Sequence, residues 1–321
     1  MANMREIAKR AGVGVGTVSR TLNGTGYVAL ETQEKVRTVA RKMGYEHEPA
    51  GKGRTQTGMI GVVVPGLEHP FFAGVLHFLD LALAARGLRC LVCGDWGDGG
   101  RLEEFLGLLE QGRLDGLIAC VDAPEGFKSR GNRAIVALDR SWPKDVPLVR
   151  SDHEQGGRMA AEALLEAGCR NVIQFYSGEK DRSANLRHAV FEQVLRESGC
   201  QVTSVASMWN KMSYGYDRDV IRNYWNVIRT MDGCFANDLG AINCLAVASE
   251  MGRKVPEQLK LVGYDGTDIT CLCYPQVSAV EQDQRGLAEA CVEELEAMIS
   301  GKKPENLLVK VPVRWQKRGT T

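Results

Sequence analysis

What the chain does not contain removes several classes of function. No apolar run approaches the ~18 to 20 residues of a membrane-spanning helix, and the opening MANMREIAKR is charged by its fifth residue, with no apolar core of a secretory signal. No membrane association is expected, and the expected location is cytoplasmic. There is no GxxxxGK(S/T) phosphate loop and no GxSxG nucleophile elbow, and the glycines at 94 and 97–100 lack the dinucleotide fingerprint, so catalysis is not expected. Histidine is scarce, at 5 residues. The close pairs among the ten cysteines, Cys90 with Cys93 and Cys271 with Cys273, have none nearby. Structural zinc needs four converging ligands. The expectation is buried reduced thiols, without metal, cofactor or disulfide.

Net charge is also lacking, 40 basic residues standing against 40 acidic, yet the balance is uneven along the chain. Residues 1–57 carry ten Lys or Arg against five Glu, a net of +5, and the remainder is −5. A small basic segment before a mildly acidic body fits a nucleic-acid-binding head, although a solvated charged surface has the same composition.

Periodicity divides the chain in three. Residues 1–48 read as three short helices, Arg5–Ala11, Val15–Leu22 and Glu31–Met43. Residues 49–58, PAGKGRTQTG, are glycine-rich, basic and poor in apolar side chains, which marks a linker. From 59 to 321, apolar strand-like runs alternate with helical segments, the signature of parallel sheets covered on both faces. Two such sheets fit, divided near Asp152–Gly157, and the segment after Gln282 has room to cross back to the first. The expected fold is an all-α helix-turn-helix headpiece followed by a two-lobed α/β domain.

Within the headpiece, Ile7, Ala8, Ala11, Val13, Val18 and Leu22 are spaced for two helices packed at a steep angle, with Gly12 at the turn. The opposite face of the second helix then presents Val15, Gly16, Thr17, Ser19 and Arg20. Arg20 is the long donor for a guanine edge, and Thr17 and Ser19 suit phosphate oxygens. Arg5 and Asn23, which bound the motif, and Lys52 and Arg54 of the linker complete the DNA-facing set. A plain three-helix bundle with a solvated Arg20 is the alternative.

The stretch REIAKRAGVGVGTVSRTLNG, then Tyr27-Val28 and ETQEKVRTVARKMGY, closely resembles the headpiece of the lactose/galactose repressor family of bacterial regulators. The resemblance continues through IGVVVPGLEHPFF at 60–72, RLDGLI at 113–118, VALDR at 136–140, RHAVF at 187–191, residues 236–265 and SAVEQD at 278–283. It implies a transcription regulator, expected to be a repressor, that binds a palindromic double-stranded operator as a homodimer. It also implies a periplasmic-binding-protein-like body with a small effector, a sugar or sugar derivative, between its lobes. The matching positions are Phe71, Phe72, Asp139, Arg187, Asn237 and Asp265, with Trp209 near a ring-stacking position. Carboxylate, amide and guanidinium groups exchange paired hydrogen bonds with hydroxyls, and an aromatic face covers a sugar ring. Asp139, Asn237 and Asp265 also suit Asx turns at strand ends, and Phe71 and Phe72 also suit a core.

The departures from the family are specific. Gly14 and Ala29 stand where serine commonly caps a helix. Val15 can touch a thymine methyl, and Gly16 has no side chain with which to read a base. His69 replaces a common Asn, Val190 a common Gly and Gly266 a common Asp. The linker is about two residues short and has no leucine to wedge into the minor groove, so an electrostatic hinge is expected.

Overall fold

The computed structural model describes residues 3–23, 27–43, 45, 56–95, 100–129, 133–177, 185–207, 214–304 and 306–321. The chain divides into two compact units, residues 1–56 and 57–321. Lys52, Arg54 and Trp209 lie outside the described residues, as does the side chain of Asn23.

The first unit holds α1 (Met4–Ala11), α2 (Val15–Asn23) and α3 (Leu30–Lys42). Helices this short are marginal alone, so they depend on a shared core: Ile7, Ala8, Ala11, Val18, Val36 and Ala40, flanked by Val13 and Leu22. Asn3 caps α1 reciprocally. Its side chain accepts from the Glu6 amide at 3.0 Å, while its own amide donates to Glu6 Oε2 at 3.2 Å. Gly12, at φ +65°, ends α1 in the left-handed conformation that glycine adopts without strain. Ala29 precedes α3 with no side-chain cap.

The second unit contains two six-stranded sheets. The first lobe is ordered β11-β5-β4-β3-β1-β2, from β1 (Met59–Val64), β2 (Arg89–Gly94), β3 (Gly116–Ala119), β4 (Ile135–Leu138), β5 (Leu148–Ser151) and β11 (Leu308–Val311). The second is ordered β12-β10-β9-β8-β6-β7, from β6 (Asn171–Ser177), β7 (Gln201–Ser207), β8 (Gly233–Phe235), β9 (Lys260–Asp265), β10 (Ser278–Gln282) and β12 (Val313–Gln316). All pairings are parallel except β10 with β12. Covering helices are α4 (Pro70–Ala84) and α5 (Gly100–Glu110) on the first lobe. On the second they are α6 (His153–Glu166), α7 (Leu186–Glu197), α8 (Tyr214–Asn223), α9 (Trp225–Ile228) and α10 (Asp238–Glu250).

The last helix, α11 (Gln284–Ile299), follows a second-lobe strand yet packs in the first lobe. Its Leu287, Cys291, Val292 and Leu295 are buried against Val75, Leu79 and Leu83 of α4, and burying each large aliphatic side chain contributes about 1.5–3 kcal/mol. The chain therefore passes between lobes three times: before α6, before α11, and between β11 and β12. The first two passages are built alike. Asp152 (φ −74°, ψ 80°) and Asp283 (φ −74°, ψ 84°) each accept from the amide three residues on, at 3.0 and 2.9 Å.

The structure departs from the sequence reading in two places. The pattern over Tyr216–Thr230 reads as one helix, whereas the structure breaks it into α8 and α9 at Tyr224. The four-residue β5 carries an arginine and a serine, Arg150 and Ser151, and its short run gave no strand signal. The late segment Leu307–Trp315, within the stretch with room to cross back to the first lobe, supplies one strand to each sheet, β11 and β12.

Candidate functional site

On α2, Val18 is fully buried while Val15, Gly16 and Arg20 are exposed, and Thr17 and Ser19 are half-buried. Arg5 on α1 is exposed too. The first turn of α2 therefore offers backbone and short side chains, with one long cation. Arg20 Nε donates back to the Gly16 carbonyl at 3.2 Å, so the guanidinium lies along the surface that the missing side chain at 16 leaves bare.

The second constellation lies at the carboxyl ends of strands in both sheets, where open α/β sheets hold ligands. Asp139 follows β4, Asn237 follows β8, Asp265 ends β9 and Gln282 ends β10. Arg187 lies in the first turn of α7. Two of these residues are in unusual backbone conformations, Asp139 at φ +58° and Asp265 at φ +119°, and strained residues of this kind cluster at functional sites.

Each polar group is held by neighbours. Burial alone would raise the Asp139 carboxyl, but a 2.7 Å bond to His153 Nε2, with Arg140 and Arg187 nearby, outweighs it and keeps the group below the usual range. The Asp265 carboxyl is pushed up to about 6 by burial, with Arg187 and a 2.7 Å bond from Gln282 Nε2 opposing. Behind it, Asp238 is pushed up to about 8 by burial and by the charge of Asp265. Asp238 accepts from the amides of Gly266 (3.2 Å) and Thr267 (2.7 Å) and from the Thr267 hydroxyl (2.6 Å), which fixes the turn carrying Asp265.

Arg187 is steered by a chain of neutral groups. Burial holds His188 uncharged, well below its ordinary pKa, with the nearby Arg187 adding to the effect. Its Nδ1–H donates to Gln174 Oε1 at 3.0 Å, which leaves Nε2 to accept from Arg187 Nε at 3.3 Å. The guanidinium lies 4.2 Å from the Tyr264 ring centre. Among the described residues no carboxylate is within 4 Å of it.

Of the residues named from the sequence, the structure brings Asp139, Arg187 and Asp265 within electrostatic reach of one another. Asn237 is buried and its amide oxygen caps α10, accepting from Gly240 at 2.9 Å. Phe72 is half-buried beside His69, while Phe71 is packed in the first-lobe core.

Sequence reasoning missed three neighbours and named a fourth, His69, only as a departure from the family. Arg140 stands over Phe72 at 5.8 Å and donates to the carbonyls of Cys120 and Asp139. His69, lowered to about 4 by burial and by both arginines, has a buried Nδ1 with no partner among the described residues. Gln282 has its Oε1 in the same condition. His153 is fully buried. The signal that could have found the first three is position: each is next to a strand's carboxyl end or to the first residue of a helix.

Known proteins show the same two-part plan. The profile "Bacterial regulatory proteins, lacI family" matches residues 3–48, and "Periplasmic binding proteins and sugar binding domain of LacI family" matches 57–222. A third, "Periplasmic binding protein-like domain", matches 161–321. The chain is 29% identical over 327 residues to the ribose operon repressor of Halalkalibacterium halodurans, covering 100% of this chain and 97% of that one. Among solved structures, a periplasmic binding protein/LacI transcriptional regulator from Alkaliphilus metalliredigens, complexed with D-xylulofuranose, superposes with a TM-score of 0.74 at 23% identity. It covers 82% of this chain and 99% of that one. The lac repressor dimer bound to operator and an anti-inducer superposes at 0.70 and 23% identity, covering 100% and 99%. With a three-helix head and a two-lobed α/β body each matched along its own length, the chain belongs to the LacI family of bacterial regulatory proteins.

Proposed function

We propose that this LacI-family regulator is a cytoplasmic homodimer that represses from a palindromic operator, and that a small sugar or sugar derivative between its lobes sets its operator affinity. The observation that carries the effector assignment is the meeting of Asp139, Asp265 and the guanidinium of Arg187, supplied by both lobes. Such paired acceptors and donors match vicinal hydroxyls, and Phe72 offers an apolar wall. The ribose operon repressor and the xylulofuranose complex favour a pentose-sized ligand. Homodimerisation is supported by exposed apolar side chains on both lobes: Leu81, Leu91 and Val92 around the edge strand β2, and Leu272 and Tyr274 beyond β9. No helix among the described residues is long and apolar enough to cross a membrane.

The test is a thermal-shift screen of the full chain against pentoses, pentuloses, hexoses and their phosphates, followed by operator binding with and without each hit. A hit that changes operator affinity supports the reading, and Arg187→Ala is expected to abolish that change while leaving ligand-free operator affinity within about twofold. Chemical conversion of a hit by the purified protein would overturn the assignment as a binding protein. An Arg187→Ala variant with a normal response would overturn the site.

A further inference from the structure

His153 opens α6, directly after the first passage between lobes, and is 0% exposed. Its Nε2 is 2.7 Å from Asp139 Oδ1 in the first lobe, and its Nδ1 is 2.9 Å from the Tyr264 hydroxyl of β9 in the second. An ionised carboxylate only accepts, so Nε2 carries a proton; in the neutral tautomer Nδ1 is a lone pair to which the Tyr264 hydroxyl donates. Two further features fit this use. Asp139 is held in the left-handed region, a conformation that surrounding bonds must maintain. Gly156, one turn on from His153, has no side chain where a Cβ would strike the Tyr264 hydroxyl.

We infer that His153 is a positioning residue of the effector site, tying the first-lobe carboxylate Asp139 to the second-lobe pair Tyr264 and Arg187 through one imidazole. The inference rests on the reading of this site as the effector site. A sugar hydroxyl that engages Asp139 competes with the Nε2–H bond, and one that engages Arg187 shifts the cation against the Tyr264 ring. Either event is felt through the imidazole at the opposite wall.

The first readout needs no ligand: nitrogen NMR of the full chain with labelled histidine should find a proton on Nε2 of His153. An Nε2 without a proton overturns the inference. The relay can then be split. His153→Gln places an amide N–H near Nε2, where it donates to Asp139 and leaves Tyr264 without an acceptor. His153→Asn places an amide oxygen near Nδ1, where it accepts from Tyr264 and does not reach Asp139. By hydrogen exchange, the Gln variant should keep amides after β4 within about twofold of the parent and speed those of β9 by about fivefold to tenfold, the size of one lost hydrogen bond. The Asn variant should do the reverse, and Tyr264→Phe should speed exchange around Asp139 in the other lobe. If both amide variants loosen both segments alike, or Tyr264→Phe leaves the Asp139 segment unchanged, His153 is a packing residue and the inference fails. Titrating D-ribose and the other screened sugars separates the two readings. A split exchange pattern with no sugar bound overturns the effector assignment alone, and sugar binding without the split overturns the relay alone.

Discussion

Single residues in the second unit carry consequences that exposure alone does not show. Gly157 faces the α7 backbone so closely that a Cβ would overlap the Arg187 carbonyl. Backbone cannot move aside as a side chain can, so Gly157→Ala is expected to cost about 2–4 kcal/mol and lower the melting temperature by about 5–10 °C, read by calorimetry. The buried carboxyls set a pH dependence. Asp238 at about 8 and Asp265 at about 6 lie above the ordinary carboxylate value, so the folded state binds protons that the unfolded state has released. Stability should therefore rise as pH falls from about 8 to 6.5. Below 6.5 the neutral, buried His69 and His188, both lowered, begin to oppose it, because the unfolded chain protonates first. Melting curves at pH 8.0, 7.3, 6.5 and 5.5 should show the rise and its levelling, and Asp238→Asn should flatten the upper limb. A parent whose stability falls steadily from pH 8 would contradict the assignment.

At the scale of elements, the headpiece shows how capping divides its stability. The α1 terminus is capped reciprocally by Asn3 and Glu6, whereas Ala29 gives α3 no side-chain acceptor although its backbone (φ −58°, ψ 141°) is already extended. Ala29→Ser is expected to add about 1 kcal/mol, measured as slower amide exchange along α3. Unchanged exchange would show that packing of Val36 and Ala40, not the terminus, limits this helix. Elements also mark where sequence signals weaken. The break at Tyr224 was not legible, since Val220, Trp225, Val227 and Ile228 keep an apolar pattern across it. Tertiary packing of that segment against α10 and β8 overrides a continuous helix.

For the whole molecule, we propose that the coupling of operator and effector passes through the segment at 49–58, which the family resemblance marks as unusual. Gly51 and Gly53 each oppose helix formation by ~1 kcal/mol relative to alanine, and Lys52 and Arg54 favour phosphate contact. Modest operator bending and a steep salt dependence are expected. Gly51→Ala/Gly53→Ala should tighten operator binding severalfold if helix formation in this segment limits affinity. A sharp central kink in the parent complex, measured by energy transfer, would contradict an electrostatic hinge.

The sequence by itself determined the family, the three headpiece helices with Val18 inward and Arg20 outward, and the alternation of strands and helices. Each is written locally, as periodicity, glycine placement or a contiguous motif. It also placed Asp139, Arg187 and Asp265 as candidates through the family resemblance, and the points where apolar runs stop supported Asp139 and Asp265 as strand-end residues. Only the tertiary structure decided which sheet each late segment joins, since β11 and β12 differ by partners some 160 and 35 residues away in the chain. It alone brought His153 between Asp139 and Tyr264, a contact spanning 111 residues. No local pattern distinguishes a histidine buried between two lobes from one at an ordinary helix start. That distinction comes from desolvation and from partners supplied by folding.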